Sequence, residues 1–363
     1  MERSDNRHSV ITVAICFLIA VIEGLDIQAA GIAAAGIRES FGLDSSQLGV
    51  FFSAGILGLL PGARPYWVKK GLIWSVAVFT LCTVWVNSFN TLLLVRFLAG
   101  AGLGAAMPNL ITLASEAVRP ENRGRAVGLM YCGMPVGAAI LSYISSLDFG
   151  SNWKNIFYLG GLLPIIVLPI MIKFLPDSRE FLKAKNAAEI TTAITQGSFK
   201  DLFNSHNLMR TCLISVSYFF TLMVVYIMLS WLPSLFMELG FSRKEGSTAQ
   251  FFFMVSATIG TIVLGMLTDR WKKAYVIILM YGGIWAGLFC LNATSSLLQM
   301  YMASALVGAF VIGCQGVLYA FGSIVYPTEV RATGVGMASA VGRVGAMLGP
   351  TLQVSYLLQV LVQ

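Results

Sequence analysis

The sequence predicts an all-α polytopic membrane protein, and three observations predict it. Charged residues make up 11% of the 363 positions and hydrophobic residues 57%, whereas soluble domains carry about 25% charge. Mean hydropathy is +0.78, and apolar runs of the roughly 20 residues needed to cross a bilayer recur along the whole chain. The lysines and arginines sort onto one side of those runs.

The apolar runs place helices near 10–35, 47–63, 71–90, 91–115, 125–147, 153–175, 208–236, 247–268, 274–293, 296–322 and 333–358, eleven in all. If successive connections alternate between sides, eighteen of the 24 Lys/Arg fall on the side of the N-terminus and four on the other (Arg38, Lys154, Arg243 and Lys244), with Arg96 and Arg343 inside helices. That bias puts the N-terminus in the cytoplasm. It also accounts for the net charge of +7 as topology, with no nucleic-acid partner implied. No cleavable signal is read, because the first apolar run lacks a small-residue cleavage site before a soluble domain.

Cys16, Cys82, Cys132, Cys212, Cys290 and Cys314 all fall inside the spans without paired spacing. They read as small packing residues rather than a disulfide or metal framework. His8 and His206 sit at polar edges, so a proton relay within the membrane has to use carboxylates. No cofactor is called for beyond protons as the coupling ion.

Six spans precede Leu175, a polar mixed-charge stretch follows, and five spans come after it. The expected organisation is therefore an N-terminal six-helix bundle over 1–175, a cytoplasmic linker over 176–207 and a C-terminal bundle of five helices over 208–363. The halves echo each other. Ser115-Glu116, Arg123-Gly124 and Gly128 follow the fourth span, and Pro327, Glu329, Arg331, Gly334 and Gly336 follow the tenth. Such internal duplication is a transporter habit.

Glu23 and Asp26 lie within the first apolar run, in Glu23-Gly-Leu-Asp26-Ile-Gln28-Ala-Ala-Gly31. Three residues apart, they share one helix face. An acid in a span costs about 3 kcal/mol or more on insertion scales and faces a polar cavity where it is kept; the alternative is a helix-end pair that snorkels to water. At 1.5 Å per residue, Asp26 lies roughly 24 Å into its span from residue 10 and Arg96 about 9 Å into a span entered from the other side near residue 90. The depths match, which suggests a pairing of Arg96 with Asp26 or Glu23. Burial favours the protonated form of a carboxylate and a nearby cation the charged form, so a group held between the two can take up and release a proton.

Arg343 falls roughly 16 Å into the last span, near the midplane, where transporters hold substrate. Its guanidinium fork matches a carboxylate in two parallel hydrogen bonds. A structural partner role is the alternative. Tyr218, Tyr226, Trp231, Gln315 and Tyr319 offer ring faces and hydrogen bonds for the rest of a pocket, although aromatics also fill bundle cores and membrane interfaces. Trp231, close before Pro233, reads as an interface anchor. Gln315 and Tyr319, four apart, share a face.

Glu23-Gly-Leu-Asp26, Arg96-Phe-Leu-Ala-Gly100-Ala-Gly102-Leu-Gly104, Ser115-Glu116 with Arg123-Gly124, and Tyr326-Pro-Thr-Glu329-Val-Arg331-Ala-Thr-Gly334 with Gly342-Arg343-Val-Gly345 and Gly349-Pro350 resemble the major facilitator superfamily. More narrowly they are similar to its aromatic acid:proton symporters. The resemblance covers nearly the whole chain. It implies a two-bundle fold and proton-coupled uptake of an aromatic carboxylate such as 3-(3-hydroxyphenyl)propionate, by a monomer in the bacterial inner membrane. It also implies a cytoplasmic gate of ion pairs drawn from Glu116, Arg123, Asp269, Arg270, Glu329 and Arg331, which otherwise read as topology-setting charge.

The chain departs from the family pattern in two places. The loop acid between the second and third spans is absent from Pro61-Gly-Ala-Arg64-Pro-Tyr-Trp-Val-Lys69-Lys70-Gly71, whereas Gly265-Met-Leu-Thr-Asp269-Arg270 keeps its counterpart. The chain stops at Gln363, so a twelfth helix is expected to be missing. A truncated, non-transporting family member (a sensor, a scaffold or a decaying copy) is therefore the rival reading.

Overall fold

Residues 2–62, 71–104, 110, 113–114, 116–119, 123–147, 149, 152–174, 202–204, 207–293, 296–326 and 331–351 are described by a computed structural model. A helix stands on each of the eleven expected spans: α1 Glu2–Phe41, α2 Ser45–Gly62, α3 Gly71–Cys82, α4 Phe89–Leu103, α5 Arg123–Tyr131 with α6 Gly133–Ser146, α7 Trp153–Phe174, α8 Leu208–Glu238, α9 Arg243–Arg270, α10 Lys273–Ala293, α11 Leu297–Val325 and α12 Arg331–Thr351. α1 begins earlier and ends later than the apolar run, and its 40 residues make a rod of about 60 Å. Most of the expected linker, and the 64–70 loop whose acid is missing, lie outside the described residues.

The span over 125–147 is two helices meeting at Cys132 rather than one. Pro135 lacks the N–H that would close a turn on the Tyr131 carbonyl, so the helix breaks one turn before it. Pro233 removes the equivalent bond in α8, yet α8 continues through it. The carbonyl it frees, that of Leu229, is taken by a side chain from α1 instead.

The first connection of each half is built alike. α1 ends at Gly42 (φ +62°) and α8 at Gly240 (φ +89°), backbone conformations that penalise any other residue. In each, the next N–H returns to a carbonyl five residues back, Leu43 to Arg38 and Phe241 to Phe236, both at 3.0 Å, which is the Schellman closure. The following helix is then capped reciprocally. Asp44 Oδ1 accepts from Gln47 N at 2.7 Å and Gln47 Oε1 from Asp44 N at 3.0 Å. Ser242 and Glu245 repeat the arrangement before α9. The shared pattern Gly-apolar-Asp/Ser-x-x-Gln/Glu is a second trace of duplication.

Packing follows the duplication. In the first half α1 lies on α6 and α2 on α4; in the second, α8 lies on α12 and α9 on α11. Across the halves α6 meets α9, α2 meets α12 and α1 meets α8. Polar bridges join the halves near the end where α1 finishes. Ser145 and Ser247 hydroxyls are 3.1 Å apart, Ser53 Oγ donates to the Met347 carbonyl at 2.6 Å, and Arg38 lies 3.5 Å from Glu238.

Two expectations need correction. Trp231 is no interface anchor: it is buried between α2 and α12, edge-on to Phe52 at 5.4 Å, and donates to the Pro350 carbonyl at 3.1 Å. Tyr218 is buried and bonds the Leu318 carbonyl at 3.0 Å, so it ties α8 to α11 rather than lining a pocket. Among the cysteines, Cys16, Cys132 and Cys314 are buried as packing residues, but Cys212 and Cys290 are exposed on the helix surface.

Candidate functional site

Asp26 is fully buried on α1 and Arg96 nearly so on α4. Arg96 Nη1 stands 3.6 Å from Asp26 Oδ1, and the same oxygen accepts a 2.6 Å hydrogen bond from Thr80 Oγ1 on α3. The guanidinium is also flanked by rings, 5.5 Å from the Phe157 centroid on α7 and 6.0 Å from that of Phe51 on α2, within cation–π range. Five helices thus meet at this one pair. A charge-assisted hydrogen bond would bring the pair to about 2.7–2.9 Å. At 3.6 Å they attract without locking, and Asp26 Oδ2, Arg96 Nε and Arg96 Nη1 make no hydrogen bond among the described groups.

Glu23 is buried one turn earlier. It does not share the Thr80 contact, its Oε2 is without a hydrogen bond among the described groups, and the charges that act on it are those of Asp26 and Arg343. Arg343, half-buried on α12, reaches across the halves to donate to the Leu59 carbonyl on α2 at 2.8 Å.

Two small cavities lie between the halves, each with room for a few water molecules in this structure. The first, about 40 Å³, is lined by Asp26, Arg96, Phe52, Leu59, Tyr226 and Ser230 among others. The second, about 50 Å³, is lined by Gln28, Tyr131, Met134, Tyr226, Met254 and Gln315 among others. Ile27, Tyr226 and Leu229 wall both, so Tyr226 stands at the junction. In the second cavity Gln315 Nε2 donates to Tyr131 Oη at 3.5 Å. Gln28, fully buried, donates to the Leu229 carbonyl at 3.3 Å and accepts from Gln250 Nε2 at 3.0 Å.

The structure therefore brings Asp26 and Arg96 together, sets Glu23 and Arg343 near them, and places Tyr226 and Gln315 on cavity walls. Tyr319 lies on α11, but its side chain is outside the described residues. Of the six gate candidates, Glu116 is half-buried and Arg270 exposed. Arg123, Asp269 and Arg331 mark the ends of α5, α9 and α12 without described side chains, and Glu329 is outside the described residues. Thr80, Gln28, Tyr131 and Ser230 were not singled out from sequence. Gln28 carried a usable signal, being an amide deep in an apolar run. Thr80 carried none, because a threonine in a span reads as packing.

An all-helical molecule of two duplicated bundles, with a buried ion pair beside cavities between its halves, is the architecture of a membrane transporter. The chain belongs to the major facilitator superfamily: the profile of the Major Facilitator Superfamily matches residues 16–350. It is 43% identical over 359 residues to the 3-(3-hydroxy-phenyl)propionate transporter of Escherichia coli (strain K12), covering 96% of this chain and 87% of that protein. It is 32% identical over 385 residues to the 4-hydroxybenzoate transporter PcaK of Acinetobacter baylyi, covering 95% and 84%. Among solved structures, a D-xylose-proton symporter superposes with a TM-score of 0.72 at 15% identity, covering 94% of this chain and 88% of that one. The chain is thus a multi-pass transporter of this superfamily and not an enzyme.

Proposed function

We propose that this chain couples inward proton flow to uptake of an aromatic carboxylate, 3-(3-hydroxyphenyl)propionate or a near analogue, across the bacterial inner membrane, as a monomer with its N-terminus in the cytoplasm. The observation that carries the reading is the loose Asp26–Arg96 pair, buried at 3.6 Å on the wall of a cavity between the halves. The transporters of hydroxylated aromatic acids that share its sequence support the substrate class.

In this reading Asp26, Glu23 and Arg96 handle the proton. With Asp26 charged, Arg96 holds it; protonation removes the attraction, and release restores it when the site faces the other side. One proton moving with one carboxylate carries no net charge, so the pH gradient drives accumulation, at about 1.4 kcal/mol per pH unit; each further proton would add about 2.3 kcal/mol per 100 mV of membrane potential. Arg343 takes the substrate carboxylate, exchanging its bond to the Leu59 carbonyl for the two parallel bonds a carboxylate accepts. Tyr226, Gln315 and Tyr319 face the aromatic part. Ion pairs among Glu116, Arg123, Asp269, Arg270, Glu329 and Arg331 close the cytoplasmic side.

The test is uptake of radiolabelled 3-(3-hydroxyphenyl)propionate into cells expressing the chain, with and without a protonophore. Accumulation that collapses with the protonophore is expected. Uptake indifferent to the protonophore overturns the proton coupling, and no uptake from a chain present in the membrane overturns the symporter reading.

A further inference from the structure

The two cavities differ in chemistry, and the difference bears on which end of a substrate each receives. The first carries charge, from Asp26 and Arg96. The second has no charged side chain in its wall among the described residues. Its polar groups are neutral, and two of them, Tyr131 Oη on α5 and Gln315 Nε2 on α11, meet across the halves at 3.5 Å. That distance is at the outer limit of a hydrogen bond. Around this slack pair the wall is apolar, with Ile27, Met134, Val225 and Met254.

We infer that Tyr131, with Gln315, reads a ring hydroxyl on the substrate and so sets specificity for hydroxylated over unsubstituted aromatic acids. The inference rests on the aromatic-carboxylate reading above and deepens it. A phenolic hydroxyl both donates and accepts, as does each partner, so it can enter between the tyrosine oxygen and the carboxamide and replace one long bond with two of ordinary length. Once the halves part to admit substrate, the apolar wall takes the ring faces. The carboxylate, excluded from the uncharged cavity by its desolvation cost, is left toward the first cavity, at whose edge Arg343 bonds Leu59, across the shared wall of Ile27, Tyr226 and Leu229.

The same geometry bounds the effect. A site whose hydrogen-bonding groups are stranded by a missing hydroxyl rejects the analogue by 10⁴-fold or more. Here Tyr131 and Gln315 still bond each other when no hydroxyl is present, so the discrimination is expected to be about tenfold.

The experiment is competitive uptake of 3-(3-hydroxyphenyl)propionate and unsubstituted 3-phenylpropionate, read as the ratio of their half-saturating concentrations. It is run in wild type, in Tyr131→Phe and in the control Tyr143→Phe, whose ring sits on the outer surface of α6. The inference expects about a tenfold preference for the hydroxylated acid in wild type and in Tyr143→Phe, falling to near one in Tyr131→Phe. A merely structural role for Tyr131 would weaken both substrates together and keep the ratio, which overturns the inference while leaving the transport reading standing. A wild type without preference also overturns it. A wild type that carries neither acid removes both the inference and the reading beneath it.

Discussion

Gln28 on α1 donates to the backbone carbonyl of Leu229 on α8 at 3.3 Å, and that carbonyl is the one Pro233 leaves without a helical partner. The bond is therefore a repair as well as a bridge. A buried carbonyl left unmade costs about 1–3 kcal/mol, and in a span only protein or cavity water can satisfy it. The other end of the same amide accepts from Gln250 on α9, so one side chain ties α1 to two helices of the opposite half. In the proposed orientation, with the N-terminus in the cytoplasm, this seam and the Ser145–Ser247 and Arg38–Glu238 contacts form the outer closure.

If alternating access is how the chain works, that closure has to open once per cycle. Ser145→Cys with Ser247→Cys places two thiols where hydroxyls stand 3.1 Å apart. Oxidation is expected to join α6 to α9 and halt uptake, and reduction to restore it. Either single variant should keep its uptake under oxidant, and a crosslinked protein that still accumulates substrate would show that the seam does not open.

α1 passes α8 closely beside this bond, and Gly31 makes the approach possible, since a Cβ there would collide with the Leu229 carbonyl itself. Gly31→Val is expected to push the helices apart at a cost of about 1–3 kcal/mol. The measurement is the melting temperature of the purified protein by intrinsic fluorescence. An unchanged midpoint would mean the two helices are not held at this distance.

Thr80 fixes the orientation of Asp26 through the short bond to Oδ1. Thr80→Ser retains the hydroxyl and should retain gradient-driven uptake, whereas Thr80→Val, which leaves the buried oxygen with one partner fewer, should lower it by about tenfold, equivalent to about 1.4 kcal/mol. Asp26→Asn, which cannot change charge, is expected to abolish protonophore-sensitive uptake altogether. Wild-type rates in that variant would rule Asp26 out as the coupling group.

Much of this was readable in advance, for reasons the residues make plain. Composition alone forces helices, because backbone polar groups in lipid must be satisfied within the segment. An acid and an arginine at matching depths in two apolar runs have few places to go but toward each other. What failed was what depends on neighbours. Trp231 reads as an interface anchor until Phe52 and the Pro350 carbonyl are seen to enclose it. Thr80 is one threonine among apolar residues until Asp26 is placed beside it. Tyr131 gains its interest only from Gln315, 184 positions away. The break at Cys132 belongs to the legible part, since Pro135 marks a bend in that span.

Arg343 offers the most direct test of how substrate is held. In this state its Nη1 donates to the Leu59 carbonyl at 2.8 Å, and Leu59 is part of the wall of the charged cavity. The guanidinium is thus already at the cavity's edge, occupied by a neutral acceptor that a carboxylate would outcompete through charge and a second parallel bond. Lysine keeps the charge but loses the planar fork. Arg343→Lys is therefore expected to raise the half-saturating substrate concentration by about tenfold, equivalent to about 1.4 kcal/mol, with a smaller change in maximal uptake, whereas the Asp26 and Thr80 variants should act mainly on the gradient-driven rate. Initial uptake rates over a range of substrate concentrations separate the two patterns. An Arg343→Lys protein with unchanged half-saturation would return Arg343 to a purely structural role, as the tie between α12 and α2.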